Sequence, residues 1–347
     1  VGKPVKVLVV DDSRTVRALI RRSFAQHSDI VICGEAANPI EARDLIIKDQ
    51  PDVITLDVEM PNMNGLQFLD KIMRLRPIPV IMVSSLTARG ADIAITALQM
   101  GAFDCFPKPT SVIAGTDAFA GLVNLVRQAA HSDPVAKLQP AERNACAAQP
   151  QKHWAHDFKL VAIGSSTGGV EALEQVLAGF PPHSPPIVIC QHMPALFTAS
   201  FANRLDQKIT ALSISEARNG EALQPGDVRI APGGDRHLVI ERRDGQYSTR
   251  LMKASPVNGH CPSVDVLFDS VAEEVGKNAL GIILTGMGQD GAEGLLAMHR
   301  AGAWTIAQDK ASSVVYGMPR VAAEIGATSQ IVPLNQISTA AMNAQIR

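Results

Sequence analysis

Short β-branched runs take turns with longer amphipathic stretches along most of this chain, and that alternation limits the folds open to it. In the first half the strand candidates are Val5–Val10, Ile30–Glu35, Val53–Leu56, Val80–Val83 and Phe103–Phe106. Helix candidates Arg14–Gln26, Pro39–Lys48, Gly65–Arg74, Ala91–Met100 and Ala118–Ala130 fall between and after them. Strands that alternate with helices pair in parallel, because each helix carries the chain back over the sheet. Five such repeats in about 130 residues predict a parallel sheet covered by helices on both faces.

The texture changes at Ser132. The segment "SDPVAKLQPAERNACAAQPQKHWAHD" holds three prolines, many small or polar residues and few large aliphatics. It reads as a linker, with a short helix possible over Ala141–Ala148. The alternation then restarts with "KLVAIGSS", a helix over Val170–Leu177, the strand "PIVICQHM" and a helix around Phe197–Asp206. "ITALSI" and "DVRIAP" read as further strands. "HLVIERRDGQYSTRLMK" reads as a β-hairpin, since Asp244-Gly245 can take the positive φ angles of a tight turn. A helix over Val264–Val275, the run "ALGIILTGMGQDG", a helix over Ala292–Arg300 and the strand "WTIAQ" follow. The expected organisation is an α/β domain over residues 1–131, a linker over 132–157 and a second α/β domain over 158–347. Both are expected to be doubly wound parallel sheets, the second with an antiparallel hairpin inserted.

Charge and cysteine usage remove several function classes. With 32 basic against 34 acidic residues the net charge is −2, and Arg21-Arg22 and Arg242-Arg243 are too small to form a nucleic-acid patch. Cys33, Cys105, Cys146, Cys190 and Cys261 are widely spaced without a C-x-x-C, which argues against a disulfide framework or a zinc site. No apolar run approaches the ~18 residues of a membrane span, and no cleavable signal is expected ahead of "PVKVLVV". A cytoplasmic protein without membrane insertion is the expectation.

Two sets of residues at strand ends carry chemistry. Asp11 and Asp12 end the first strand and Asp57 the third, so three carboxylates converge on the carboxyl rim of the first sheet. They repel one another unless a hard cation such as Mg²⁺ sits among them. Ser84 closes the fourth strand and Lys108 follows the fifth, a hydroxyl and an ammonium suited to a phosphoryl group. On "VVDDS", "LDVEMP", "VSS" and "PKP", in that order, this half resembles a response-regulator receiver domain, a flavodoxin-like fold. The resemblance implies phosphorylation of Asp57 by a histidine kinase, Mg²⁺ held by Asp11, Asp12 and Asp57, and phosphoryl contacts from Ser84 and Lys108. Cys105 departs from the family, which usually has a switch aromatic at that position.

The second set begins at Gly164-Ser165-Ser166-Thr167-Gly168-Gly169. It has neither the lysine of a phosphate loop nor the second glycine of a dinucleotide fingerprint. It does fit G-x-S-x-G between a strand and a helix, with Ser166 exposed on a sharp turn beside helix N–H groups. Taken singly, that pattern is also an ordinary turn, His192 in "ICQHMP" a structural histidine, and Asp290 in "LTGMGQDG" a helix N-cap. Together, at three strand ends, they supply a nucleophile, a base and an orienting acid. His237 and His260 are rival bases, ranked as rim or structural residues because neither has a carboxylate in an equally suggestive turn.

The motifs "IGSSTGG", "QHMP", "IAPGG", "PSVDVLF", "ILTGMGQDG" and "GMPR" resemble the effector domain of the chemotaxis protein-glutamate methylesterases. The resemblance covers the chain from about Pro4 to its end, apart from the linker. It implies Ser166 as nucleophile, His192 as general base and Asp290 as orienting acid. Thr167 and the backbone N–H of Met287 would help to polarise the carbonyl, and Ser165 would have a packing role. Glutamate methyl esters on chemoreceptors become the expected substrate and receptor glutamines a second one, with no cofactor for the hydrolysis. An unphosphorylated receiver is expected to cover the catalytic cleft. The competing expectation is a phosphorylation-gated binding module without turnover.

Overall fold

The computed structural model describes residues 3–60, 65–85, 87–109, 119–132, 154 and 157–346. The chain divides into two compact units, Val1–Pro140 and Ala141–Arg347. Most of the expected linker, including the possible helix at Ala141–Ala148, lies outside the described residues.

The first unit holds strands β1 (Val5–Val10), β2 (Ile30–Ala36), β3 (Val53–Asp57), β4 (Val80–Ser84) and β5 (Asp104–Pro107), with helices α1 (Arg14–Phe24), α2 (Pro39–Asp49), α3 (Gly65–Leu75), α4 (Ala88–Gln99) and α5 (Ala120–Ala129). Its sheet runs β2-β1-β3-β4-β5, every pair parallel, as the alternation predicts. β3 and β4 are buried along their whole length, which is why they read as unbroken apolar runs rather than alternating ones. Asn38 caps α2 by accepting from the N–H groups of Ile40 and Glu41, and the Glu41 carboxylate accepts from the N–H of Ala37, one residue before the cap, at 2.8 Å.

The second unit is a seven-stranded parallel sheet in the order β14-β13-β12-β6-β7-β9-β8. Its strands are β6 (Leu160–Ser165), β7 (Ile187–Gln191), β8 (Ser213–Glu216), β9 (Asp227–Ile230), β12 (Ala279–Ile283), β13 (Trp304–Gln308) and β14 (Gln330–Val332). Strands β10 (Arg236–Arg243) and β11 (Gln246–Lys253) form the separate antiparallel hairpin. Asp244 and Gly245 take φ of 49° and 84° at its turn, the positive angles that their residue types permit. The helices are α6 (Gly169–Ala178), α7 (Phe197–Lys208), α8 (Val264–Glu274), α9 (Ala292–Arg300), α10 (Met318–Glu324) and α11 (Ile337–Met342).

β6 lies between β12 and β7, and every residue of these three strands is buried. Helix α8 packs onto the end of β6 so closely that a Cβ on Gly164 would lie 2.2 Å from Cγ1 of Val264. Trp154, expected in the linker, packs with this unit: its ring faces Phe180 and Phe158, and its Nε1–H donates to Ser184 Oγ at 3.3 Å. No helix among the described residues is long and apolar enough to cross a membrane. Cys33, Cys105, Cys190 and Cys261 are all free thiols.

Candidate active site

In the first unit β1 and β3 are neighbours, so Asp11, just past β1, and Asp57, the last residue of β3, meet on one rim. Carboxylate oxygens of Asp11, Asp12 and Asp57 lie within 4.8 Å of one another, with Asp11 and Asp57 buried and Asp12 exposed. Lys108 reaches in from beyond β5, its Nζ 2.9 Å from Asp11 Oδ2 and 2.8 Å from Asp57 Oδ2. Burial nevertheless pushes Asp57 up to about 6, with Asp11 adding to the rise and Lys108 opposing it. Burial works against the charged Lys108, but its contacts with Asp57 and Asp11 prevail and raise its pKa.

An all-oxygen donor set around a carboxylate that one ammonium leaves undercompensated fits a hard divalent ion. Ser84 is fully buried at the end of β4, and its hydroxyl is shared between the carbonyls of Ser85 and Gly90, each at 3.3 Å. Cys105 Sγ donates weakly to the carbonyl of Ala94 at 3.5 Å.

In the second unit Ser166 follows β6, His192 follows β7 and Asp290 lies in the loop after β12, so adjacent strands deliver all three. Gly168 takes φ 80° to turn the chain into α6, a conformation that costs a non-glycine residue ~1–2 kcal/mol. Ser166 is 9% exposed, and its N–H donates to the carbonyl of Thr285 at 3.0 Å. The glycines beside Met287 bring its loop against the turn that carries Ser166. A Cβ on Gly286 would lie 2.8 Å from Ser166 Cβ, and the Gly286 carbonyl accepts from the N–H groups of Gly317 and Met318. Thr167 is buried, and its carbonyl accepts from Thr285 Oγ1 at 3.0 Å.

His192 Nε2 lies 2.8 Å from Asp290 Oδ2. With Asp290 ionised, Nε2 carries the proton and Nδ1 is the free base. Among the described residues that Nδ1 is buried without a hydrogen-bond partner. It makes no bond to Ser166 Oγ here; such contacts often tighten only when substrate binds.

Asp290 is held from several sides. Its Oδ1 accepts from Ser263 Oγ at 2.7 Å, Asn258 Nδ2 at 3.3 Å and the N–H of Asp265 at 3.3 Å. Its Oδ2 accepts from the N–H of Val264 at 2.7 Å. Ser263 is the N-cap of α8, so the carboxylate sits on a helix N-terminus, where backbone N–H groups favour negative charge. Burial alone would raise its pKa, but the bonds from His192, Ser263 and Val264 hold it far below the ordinary carboxylate value. Next to it, burial pushes Asp265 up to about 6.

Three contacts around the site have no local signature in the sequence. Gln191 Nε2 donates to the carbonyls of Ser166 and His192 at 2.9 and 3.0 Å, and its Oε1 accepts from Ser165 Oγ at 2.6 Å. Ser165 is thus a buried brace between β6 and β7. Gln308 Oε1 accepts from the N–H of Thr285 at 2.7 Å. The ring of His260 lies parallel to that of His192, with centroids 3.7 Å apart and planes 4° apart. His237, the other rival base, is fully buried and bridges the N–H of Ser263 to the carbonyl of Ser255.

Both units resemble known proteins. The model of the CheB methylesterase family matches residues 161–341, and that of the response regulator receiver domain matches residues 7–119. A protein of Agrobacterium fabrum named protein-glutamate methylesterase/protein-glutamine glutaminase is 54% identical over 96% of this chain and 94% of its own length. A Caulobacter vibrioides protein of the same name, numbered 1, is 52% identical over 96% of each chain. Among solved structures, the CheB methylesterase catalytic domain of Thermotoga maritima superposes with a TM-score of 0.52 at 39% identity, over 53% of this chain and 97% of that one. The chain belongs to the CheB methylesterase family, with a response-regulator receiver domain ahead of its methylesterase domain.

Proposed function

We propose that this chain is a serine esterase that hydrolyses glutamate methyl esters on chemoreceptor proteins and deamidates receptor glutamines, under control of phosphorylation at Asp57. The observation that carries the reading is the buried His192–Asp290 pair beside Ser166, with Nδ1 of the imidazole unpartnered. The names of the Agrobacterium and Caulobacter relatives supply the substrate class.

Ser166 Oγ attacks the γ-carbonyl of the ester while His192 Nδ1 takes its proton. The Nε2–H of His192 stays hydrogen-bonded to the Asp290 carboxylate, whose charge stabilises the imidazolium that forms. Negative charge gathering on the carbonyl oxygen is met by the backbone N–H of Met287 and by Thr167. His192 returns the proton to the departing methoxide, which leaves as methanol. It then takes a proton from the water that attacks the acyl-serine and returns it to Ser166 Oγ as the ester bond breaks, and the freed glutamate side chain ionises to its carboxylate. With glutamine the same sequence releases ammonia. These groups and one water complete the hydrolysis.

In the first unit, Asp11, Asp12 and Asp57 would hold Mg²⁺, a hard cation that would supply charge neutralisation at Asp57 during phosphorylation. Lys108 then pairs with the phosphoryl oxygens, and Ser84 contributes its hydroxyl. A chemotaxis histidine kinase is the expected donor.

The test is methanol release from methylated receptor membranes, with and without a small-molecule phosphodonor and Mg²⁺. Ser166→Ala abolishes release. Ser165→Ala keeps most of it, at a stability loss of ~1–3 kcal/mol from the unpaired Gln191 Oε1. Equal loss in both variants refutes the assignment, and no turnover by the unmodified protein favours a binding module.

A further inference from the structure

We propose that His260 is a positioning residue for His192: its ring, laid flat on that of His192, fixes the imidazole plane that presents Nδ1 to Ser166. The inference rests on the reading of His192 as the general base. His192 is anchored at one ring atom, Nε2, by Asp290, while Nδ1 has no partner among the described residues. With Cβ covalently held and Nε2 hydrogen-bonded, the ring can still turn about the line that joins these two points. Such a turn would move Nδ1 out of its present plane with the Asp290 bond intact. The parallel ring at 3.7 Å and 4° is the second constraint, because rotation out of plane drives one ring into the other.

The wall is itself fastened to the same acid. Val257 and His260 exchange both backbone hydrogen bonds, at 3.0 and 2.9 Å, closing a tight turn. Within that turn Asn258 donates to Asp265 Oδ2 at 2.7 Å and to Asp290 Oδ1 at 3.3 Å. Asp290 thereby anchors both the base and the loop that carries the ring beside it. No hydrogen bond engages either ring nitrogen of His260 among the described residues, so its contribution to the site is its face. That face must stay uncharged, because His192 becomes a cation during acyl transfer and a second imidazolium at this distance would repel it. Burial and the neighbouring His192 push His260 down to about 4, which keeps it neutral near pH 7. A neutral π face against an imidazolium is also a favourable contact.

The experiment compares full-length His260→Ala, His260→Phe and Ser166→Ala. Methanol release is measured alongside thermal unfolding and imidazole ¹⁵N NMR of His192. His260→Ala is expected to lower kcat by ~10- to 100-fold, the range for a misplaced catalytic group, with KM little changed. The NMR should show loss of the single Nε2-protonated tautomer. His260→Phe, which keeps a ring, should recover most of the rate and the tautomer. Wild-type kcat and an unchanged tautomer in His260→Ala overturn the proposal. Equal loss in the Phe and Ala variants also overturns it, since imidazole chemistry rather than the ring face would then matter. If His260→Ala does not fold, His260→Gln serves as the ringless variant under the same criteria. Release by Ser166→Ala would instead refute the underlying site, whatever the His260 variants do.

Discussion

Between pH 6.5 and about 4 the unfolded chain protonates His260 while the folded protein holds it neutral. The unfolded state binds more protons there, so this residue's contribution to stability falls as pH drops through that window. Asp265, raised from 3.8 to about 6, works the other way: the folded state binds the extra proton, and its contribution rises as pH drops. Asp57 has the same sign as Asp265. The total profile is therefore a sum of opposed terms, and a variant is needed to isolate one. His260→Phe removes a titration without removing a ring. Its stability relative to the parent is expected to improve as pH falls from 7 to 5, measured by denaturant unfolding at both values. An unchanged difference would mean that His260 titrates normally in the fold. His260 also marks what a sequence withholds at this scale. His192 and Asp57 are legible because they stop apolar strand runs, a local signal. His260 sits in a loop, and its partner is reached only through the fold.

At the level of elements, α8 does more than cover the sheet. Its first turn donates Ser263 Oγ and the N–H groups of Val264 and Asp265 to Asp290. The same serine accepts from the N–H of Val266 as the helix cap. Ser263→Ala is expected to cost about 1 kcal/mol in denaturant unfolding through the lost cap. It should also lower kcat, far less than the ~10⁴-fold expected when the acid itself is replaced in Asp290→Ala. A variant with lower stability and wild-type kcat would show that α8 stabilises the unit without tuning the acid.

The elements most open to sequence reading were those with both a period and an end signal. The hairpin turn at Asp244-Gly245 and the helix Ala292–Arg300 appear where the pattern puts them. "ITALSI" is read as a strand, yet the strand begins only at Ser213, because the preceding residues form a turn whose exit is fixed by Asp206 accepting from the N–H of Ile214. β14 has three residues, too few to show a period, and is defined only by pairing with β13.

Across the whole molecule, the two units share an architecture, and the proposed function divides the chemistry between carboxylates in one and a serine in the other. If the first restrains the second until Asp57 is phosphorylated, a segment spanning 157–347 should release methanol faster than the unphosphorylated full-length chain. It should also be indifferent to phosphodonor. Full-length Asp57→Asn should stay at its basal rate with donor present, and a truncated segment no faster than the intact chain would refute the restraint. This level is legible from the motifs, because each unit carries its chemistry at strand ends in chain order. How a receiver is coupled to an esterase has no such local signal.

The order β14-β13-β12-β6-β7-β9-β8 has one more effect. The loops bearing Ser166, His192 and Asp290 leave three adjacent inner strands, with two more strands on either side. Local opening of a sheet starts where few contacts hold it, at the outermost strands. Fraying of β14 or β8 leaves the spacing of those three loops unchanged, so breathing motions at the margins reach the chemistry last.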